Sequence, residues 1–111
     1  MNIPDILDAA ADEIERNGHI KGELGHPDGP KCMGGALMHV SPRNLTGADE
    51  AMYAVVDYLE LKDTTYFDSE LSSMFDVRWC TGVDWNNAEE REPFEVVNAM
   101  RHTAKILRDM E

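Results

Sequence analysis

The sequence predicts a mainly α fold, a compact bundle of about four to five helices, from the spacing of its apolar residues. Residues 3–14, 48–59 and 94–107 each place apolar side chains three or four positions apart, the period that gathers them on one helix face. The first and last of these segments also carry helix start or stop signals. At 111 residues and 42% hydrophobic content, the chain reads as one domain, 1–111, around one core.

The first helix has both ends marked. Asn2 can cap it, Pro4 suits its first turn, and Asp5 and Asp8 lie near the positive end of the helix dipole. Ile3, Ile6, Leu7, Ala10, Ala11 and Ile14 form its apolar face. Asn17-Gly18 ends it, with Gly18 the natural left-handed residue past the cap. Residues 19–31, HIKGELGHPDGPK, are rich in glycine and proline. His26-Pro27-Asp28-Gly29 marks a turn across which a short two-stranded hairpin fits.

Cys32 to Val40 reads as a short helix with Cys32, Ala36, Leu37 and Val40 on one side. Each glycine of its Gly34-Gly35 pair costs about 1 kcal/mol relative to alanine. Two together point to another backbone packed closely against that helix. Ser41 to Asn44 reads as a loop, and Thr46 with Asp49 as an imperfect capping box. Ala48, Met52, Val55, Val56 and Leu59 then keep helical spacing.

The polar stretch KDTTYFDS after Leu61 reads as loop, and Asp68 or Ser69 can cap a short helix through Phe75. Val77 to Val83 reads as a brief strand or an extended loop. The last helix runs from Pro93 toward Met110, with Val97, Met100, Ala104 and Leu107 inward and Phe94 near its start. Glu92, Glu95, Lys105 and Arg108 favour its dipole at the two ends.

The charge balance narrows the partners. Asp and Glu number 22 against 10 Lys and Arg, a formal net charge of −12. Nucleic-acid binding draws most of its affinity from clustered cations that neutralise phosphates, and an anionic membrane asks for the same. The nearest approach to such a cluster is Arg101, Lys105 and Arg108. Direct nucleic-acid or membrane binding is therefore not expected, and a protein surface is. No apolar run reaches the roughly 18–20 residues of a membrane span. The first residues carry acids where a secretory signal carries bases. With Cys32 and Cys80 as the only cysteines, the expectation is a cytoplasmic protein with reduced thiols.

Three constellations bear on chemistry. His19, His26, His39 and Cys32 are zinc-ligand types, but they lie seven, six and seven positions apart. Structural zinc sites pair ligands about two to five apart, so neither a metal nor another cofactor is expected. Cys32 at a helix N-terminus is a candidate nucleophile, because unsatisfied amides and the dipole favour a thiolate. His19 or His39 would be its base and Asn86 or Asn87 the group that orients the base. A buried, unreactive cysteine is the favoured alternative. Finally, Asp84, Trp85, Asn86 and Asn87 either line a ligand site or seal the core, with Trp85 as plug and Asn87 as cap or turn former.

Taken together, these segments resemble a family of small actinobacterial and actinophage domains with no established activity. The resemblance rests on the N-terminal helix ending at Asn17-Gly18 and on Cys32-Met33-Gly34-Gly35-Ala36-Leu37. It extends to Trp85-Asn86-Asn87 and to the closing helix that begins Arg91-Glu92-Pro93-Phe94-Glu95-Val96-Val97. His19 stands where that pattern has an aromatic such as Trp, Asn87 where it has Asp, and Glu92 where it has a capping Thr. Asn87 accepts hydrogen bonds but cannot act as a base. The resemblance implies an origin in a bacteriophage of actinobacteria or its host, and no mechanism.

The expected function is an accessory domain that binds another protein, a phage product acting on a host or virion partner in the host cytoplasm. A small thiol enzyme using Cys32 is the alternative, and a nucleic-acid mimic facing a basic host protein is the third reading. Seven methionines suit an adaptable contact surface. Nothing in the sequence speaks to oligomeric state.

Overall fold

The chain enters α1 (Ile3–Asn17) through Asn2, whose Oδ1 accepts the Asp5 amide at 2.9 Å. It leaves through Gly18 at φ +98°, whose N–H donates to the Ile14 carbonyl. Both ends are the ones the sequence marks. A computed structural model describes residues 2–41, 45–59 and 77–110. Its helices are α1, α2 (Met33–Val40), α3 (Leu45–Tyr58), α4 (Val77–Asn87) and α5 (Pro93–Asp109), with no sheet among the described residues.

Helices α1 and α5 form the spine. Ile6, Leu7, Ala10, Ala11 and Ile14 of α1 are buried with Val96, Val97, Met100 and Ala104 of α5. Full burial of each large aliphatic chain contributes about 1.5–3 kcal/mol. Arg108 pairs with Asp5 and Asp8 near one end, and Arg101 with Asp12 and Glu15 toward the other. The crossed order means that the two helices run antiparallel. The basic cluster noted in the sequence is thus largely occupied by the acids of α1. Helices α2 and α3 close the core with Met33, Ala36, Leu37, Ala51, Met52 and Val55.

Between α1 and α2, residues 18–32 form a strap. In place of the expected hairpin it makes two isolated bridges, His19 with Lys31 and Gly25 with Lys31. Gly18, Gly22 and Gly25 all take positive φ, which bends the strap too often for paired strands. The strap lies against α2 at Gly35, where a Cβ would overlap the Leu24 carbonyl. Gly34 instead lies beneath the Trp79 ring. The close approach expected at Gly34-Gly35 therefore comes from a backbone at one glycine and an indole at the other.

Two further elements differ from expectation. Val77 to Val83 is helical, the first part of α4, where a strand or extended loop was predicted. Its valines and tryptophan favour strands, but packing decides otherwise. Gly82 lets Met52 approach, Trp79 covers Gly34, and Asn86 is fully buried, all on one side of a helix. Helix α3 begins at Leu45, so Thr46 lies inside its first turn and is not the cap. The predicted loop after Leu61 and the short helix through Phe75 fall outside the described residues.

Candidate functional site

The strap, the start of α2 and the end of α4 meet at Asn86, which is completely buried. Its Oδ1 accepts the Met33 amide at 3.0 Å. Its Nδ2 donates to Asn87 Oδ1 at 3.0 Å and to the Ile20 carbonyl at 3.4 Å. Asn87 Oδ1 also accepts the Gly22 amide at 3.0 Å. A backbone N–H can only donate, so the Asn86 oxygen must face Met33, and the amide orientation is settled by its own network.

This has a consequence for His19. Its Nε2 lies 2.7 Å from the same Asn86 oxygen. An oxygen that only accepts requires a donor, so Nε2 carries the proton and Nδ1 of a neutral ring carries the lone pair. His19 is an oriented imidazole. It is half-buried and lines a groove of about 340 Å³ between the end of α1 and the start of α5, with Ile14, Glu15, Pro93, Phe94, Val97 and Asn98. Phe94 is 63% exposed, one of three large apolar side chains left open among the described residues.

Cys32 sits beside this network but outside it. It is the N-cap of α2, and its sulfur accepts the Gly35 amide at 3.2 Å. Burial pushes the thiol pKa up, against the opposing pull of the Gly35, Gly34 and Cys32 amides. Among the described residues, neither His19 nor His39 hydrogen-bonds to the sulfur. The predicted Asn–His pair therefore forms, through Asn86, without the cysteine.

His39 is turned elsewhere, with Nε2 3.9 Å from Glu13 Oε1. Glu13 and Lys31 form an ion pair at 2.6 Å with side chains only 6% and 3% exposed. Lys31 Nζ uses its other two protons on the Pro27 and Gly29 carbonyls, at 2.9 and 3.0 Å. This pair pins the turn of the strap to α1. The sequence carried no signal for it, since an acid in an acidic helix and a lysine after a proline are both unremarkable alone.

Of the third constellation, Asp84 is exposed and Trp85 half-buried. The Arg91 guanidinium lies 4.1 Å from the Trp85 ring centroid and donates from Nε to the Trp85 carbonyl at 3.0 Å. That is a joint holding the turn between α4 and α5. Asn86 and Asn87 bind the strap, so this constellation splits between a structural joint and the histidine network. Among the described residues no cluster of three or more histidine, cysteine or acidic side chains could hold a metal ion. No described helix is long and apolar enough to cross a membrane.

A model of a family of unknown function, DUF6197, matches residues 1–106. The chain belongs to that family. No curated protein and no solved structure matches it. In this DUF6197 domain the match spans α1 to α4 and almost the whole of α5, so the strap, the Asn86 network and the groove all lie within it. The expected resemblance to a domain family without established activity agrees with that assignment.

The cysteine can be tested directly. In a Cys80→Ser background, iodoacetamide should modify native Cys32 at least about a hundredfold more slowly than the unfolded chain, with its rate rising only above the pH of an ordinary thiol. Cys32→Ser should keep the cap and cost under about 1 kcal/mol in urea unfolding. Rapid native labelling at neutral pH would reverse this account of the thiol.

Proposed function

We propose that this chain is a small acidic protein-interaction domain whose contact surface is the groove between the end of α1 and the start of α5. The observation that carries this reading is Phe94, 63% exposed on a helix whose other face is core, at the edge of a cavity walled by Ile14, Pro93 and Val97. Exposed aromatics beside apolar pockets are the side chains on which interface energy concentrates. The net charge of −12 favours a basic partner. The setting implied by the sequence resemblance is a bacteriophage product acting on a host or virion protein in the host cytoplasm.

The thiol-enzyme reading draws less support, because Cys32 is 3% exposed and its sulfur caps a helix. Mimicry of nucleic acid needs a free array of acids, whereas Asp5, Asp8, Asp12 and Glu15 are engaged by two arginines of α5. The test is affinity capture from a lysate of the source organism with wild type and Phe94→Ser in parallel. A specific partner should be retained by wild type and reduced about tenfold or more by the substitution. A partner bound equally by both proteins would overturn the groove as contact surface. Capture that vanishes in moderate salt regardless of Phe94 would favour mimicry.

A further inference from the structure

We propose that the groove takes an arginine side chain of the partner, with the guanidinium held between His19 Nδ1 and Glu15 and stacked on Phe94. This rests on the groove being the contact surface and adds the chemistry that it selects.

On α1 and the strap the polar side chains of the wall, Glu15 and His19, offer acceptors, while Asn98 on α5 carries both an acceptor and donors. Asn86 holds His19 as the Nε2–H tautomer, which leaves Nδ1 as a lone pair with no hydrogen-bond partner among the described residues. Glu15 uses Oε1 on Arg101, and its side chain is 52% exposed with Oε2 unengaged among the described residues. At the start of α5, Glu95 Oε1 accepts the N-cap amide of Glu92 at 2.9 Å and the Glu95 amide donates to the Glu92 carbonyl at 3.0 Å, so this end of the helix presents the carboxylates of Glu92 and Glu95.

The surrounding charge has the same sign. The carboxylates of Asp12, Glu15, Glu89, Glu90, Glu92 and Glu95, on the segments bordering the groove, outnumber the cations Arg16, Lys21, Arg91 and Arg101. A cation is therefore the complementary ligand. Between the two basic side chains, arginine fits better. Its planar fork can donate to a carboxylate and an imidazole at once, and its face stacks on an aromatic ring. An ammonium is a point charge without that face. The aliphatic stem of the arginine would lie on Ile14 and Val97, as long basic side chains do on apolar surface.

The experiment uses the full chain, labelled with 15N, and three capped peptides identical except for a central arginine, lysine or citrulline. Citrulline keeps the planar shape and removes the charge. Long-range 1H–15N spectra should show His19 protonated at Nε2 and bare at Nδ1. The arginine peptide should shift His19, Phe94, Val97 and Asn98, and bind about tenfold tighter than the citrulline peptide, with lysine between. Phe94→Ala, a change at an exposed position, should weaken the arginine peptide without unfolding the domain. The inference is overturned by an Nδ1–H tautomer, by equal binding of arginine and citrulline, or by shifts confined to other surfaces. Partner capture that depends on Phe94 but with no response to the arginine peptide would sink this inference alone. Capture indifferent to Phe94 would sink the groove reading itself.

Discussion

Lys31→Met is expected to destabilise the domain by about 3 kcal/mol at neutral pH, and by the arithmetic for a domain of this size to lower its melting temperature by roughly 10–15 °C. The methionine fills the space of the lysine stem, so the cost is electrostatic. It strands the Glu13 carboxylate, 6% exposed, with the hydrogen bonds of Asn17 and Arg16 and the His39 ring 3.9 Å away as what remains around it. Those contacts place the expected value at the lower end of the roughly 3–5 kcal/mol for breaking a buried pair. The double replacement Glu13→Leu with Lys31→Met removes both charges and should recover most of the loss. The pair is then a device for placing the strap more than a net source of stability.

The same pair predicts a pH signature. The Lys31 hydrogen bond, followed by that of Asn17, holds the Glu13 pKa below the ordinary carboxylate value, against the opposing effect of burial. A depressed carboxylate contributes stability that is fully present above its unfolded value, about 4.3, and is lost as pH falls through the folded one. Wild type should therefore lose more stability than Lys31→Met between about pH 5 and pH 3. Urea unfolding at several pH values reads both effects. A single substitution costing under about 1 kcal/mol, with an unchanged acid slope, would show that Glu13 is solvated and the pair incidental.

How much of this was legible beforehand follows the range of each interaction. Helices α1 and α5 were, because Asn2, Pro4, Gly18 and Pro93 act within a turn of where they stand and the apolar spacing runs through both. Gly34-Gly35 announced a close approach, although not that a strap backbone would meet one glycine and Trp79 the other. Helix α4 was not legible. Its local preferences point to a strand, and contacts with Met52 and Gly34, far away in the chain, override them. The site divides in the same way. Residue types offered His19 or His39 as a base and Asn86 or Asn87 as its orienter, and the fold brings His19 and Asn86 within hydrogen-bond distance across 67 positions. They also offered Cys32 and His39, whose partners turn out to be Gly35 and Glu13. Phe94 was read as a residue near a helix start, because exposure is a property of the assembled surface.

Asn86→Leu tests whether one side chain couples the fold to that site. Leucine matches asparagine in size but leaves the Met33 amide and His19 Nε2–H without an acceptor and the Ile20 carbonyl without a donor, while Asn87 Oδ1 keeps only the Gly22 amide. Each buried group left unpaired costs about 1–3 kcal/mol, but the Ile20 carbonyl and Asn87 are half-buried and can turn to water. The expected loss is about 2–4 kcal/mol, comparable to that of Lys31→Met. Its distribution is the sharper prediction. Asn86 joins the strap to α2 and α4, while α1 and α5 hold each other by their own core and ion pairs. Hydrogen exchange should therefore accelerate first at residues 20–24 and at Met33, with the centres of α1 and α5 protected until global unfolding. His19 should simultaneously lose its tautomer preference, because nothing then holds the proton on Nε2. Asn86→Asp separates the two roles: it keeps an acceptor for Met33 and His19 and loses the donor to the strap. If the aspartate variant retains the Nε2–H tautomer while the strap exchanges faster, orientation and anchoring are distinct duties of one amide. Uniform acceleration across all helices in both variants would mean that Asn86 supports the core as a whole and has no special hold on the histidine.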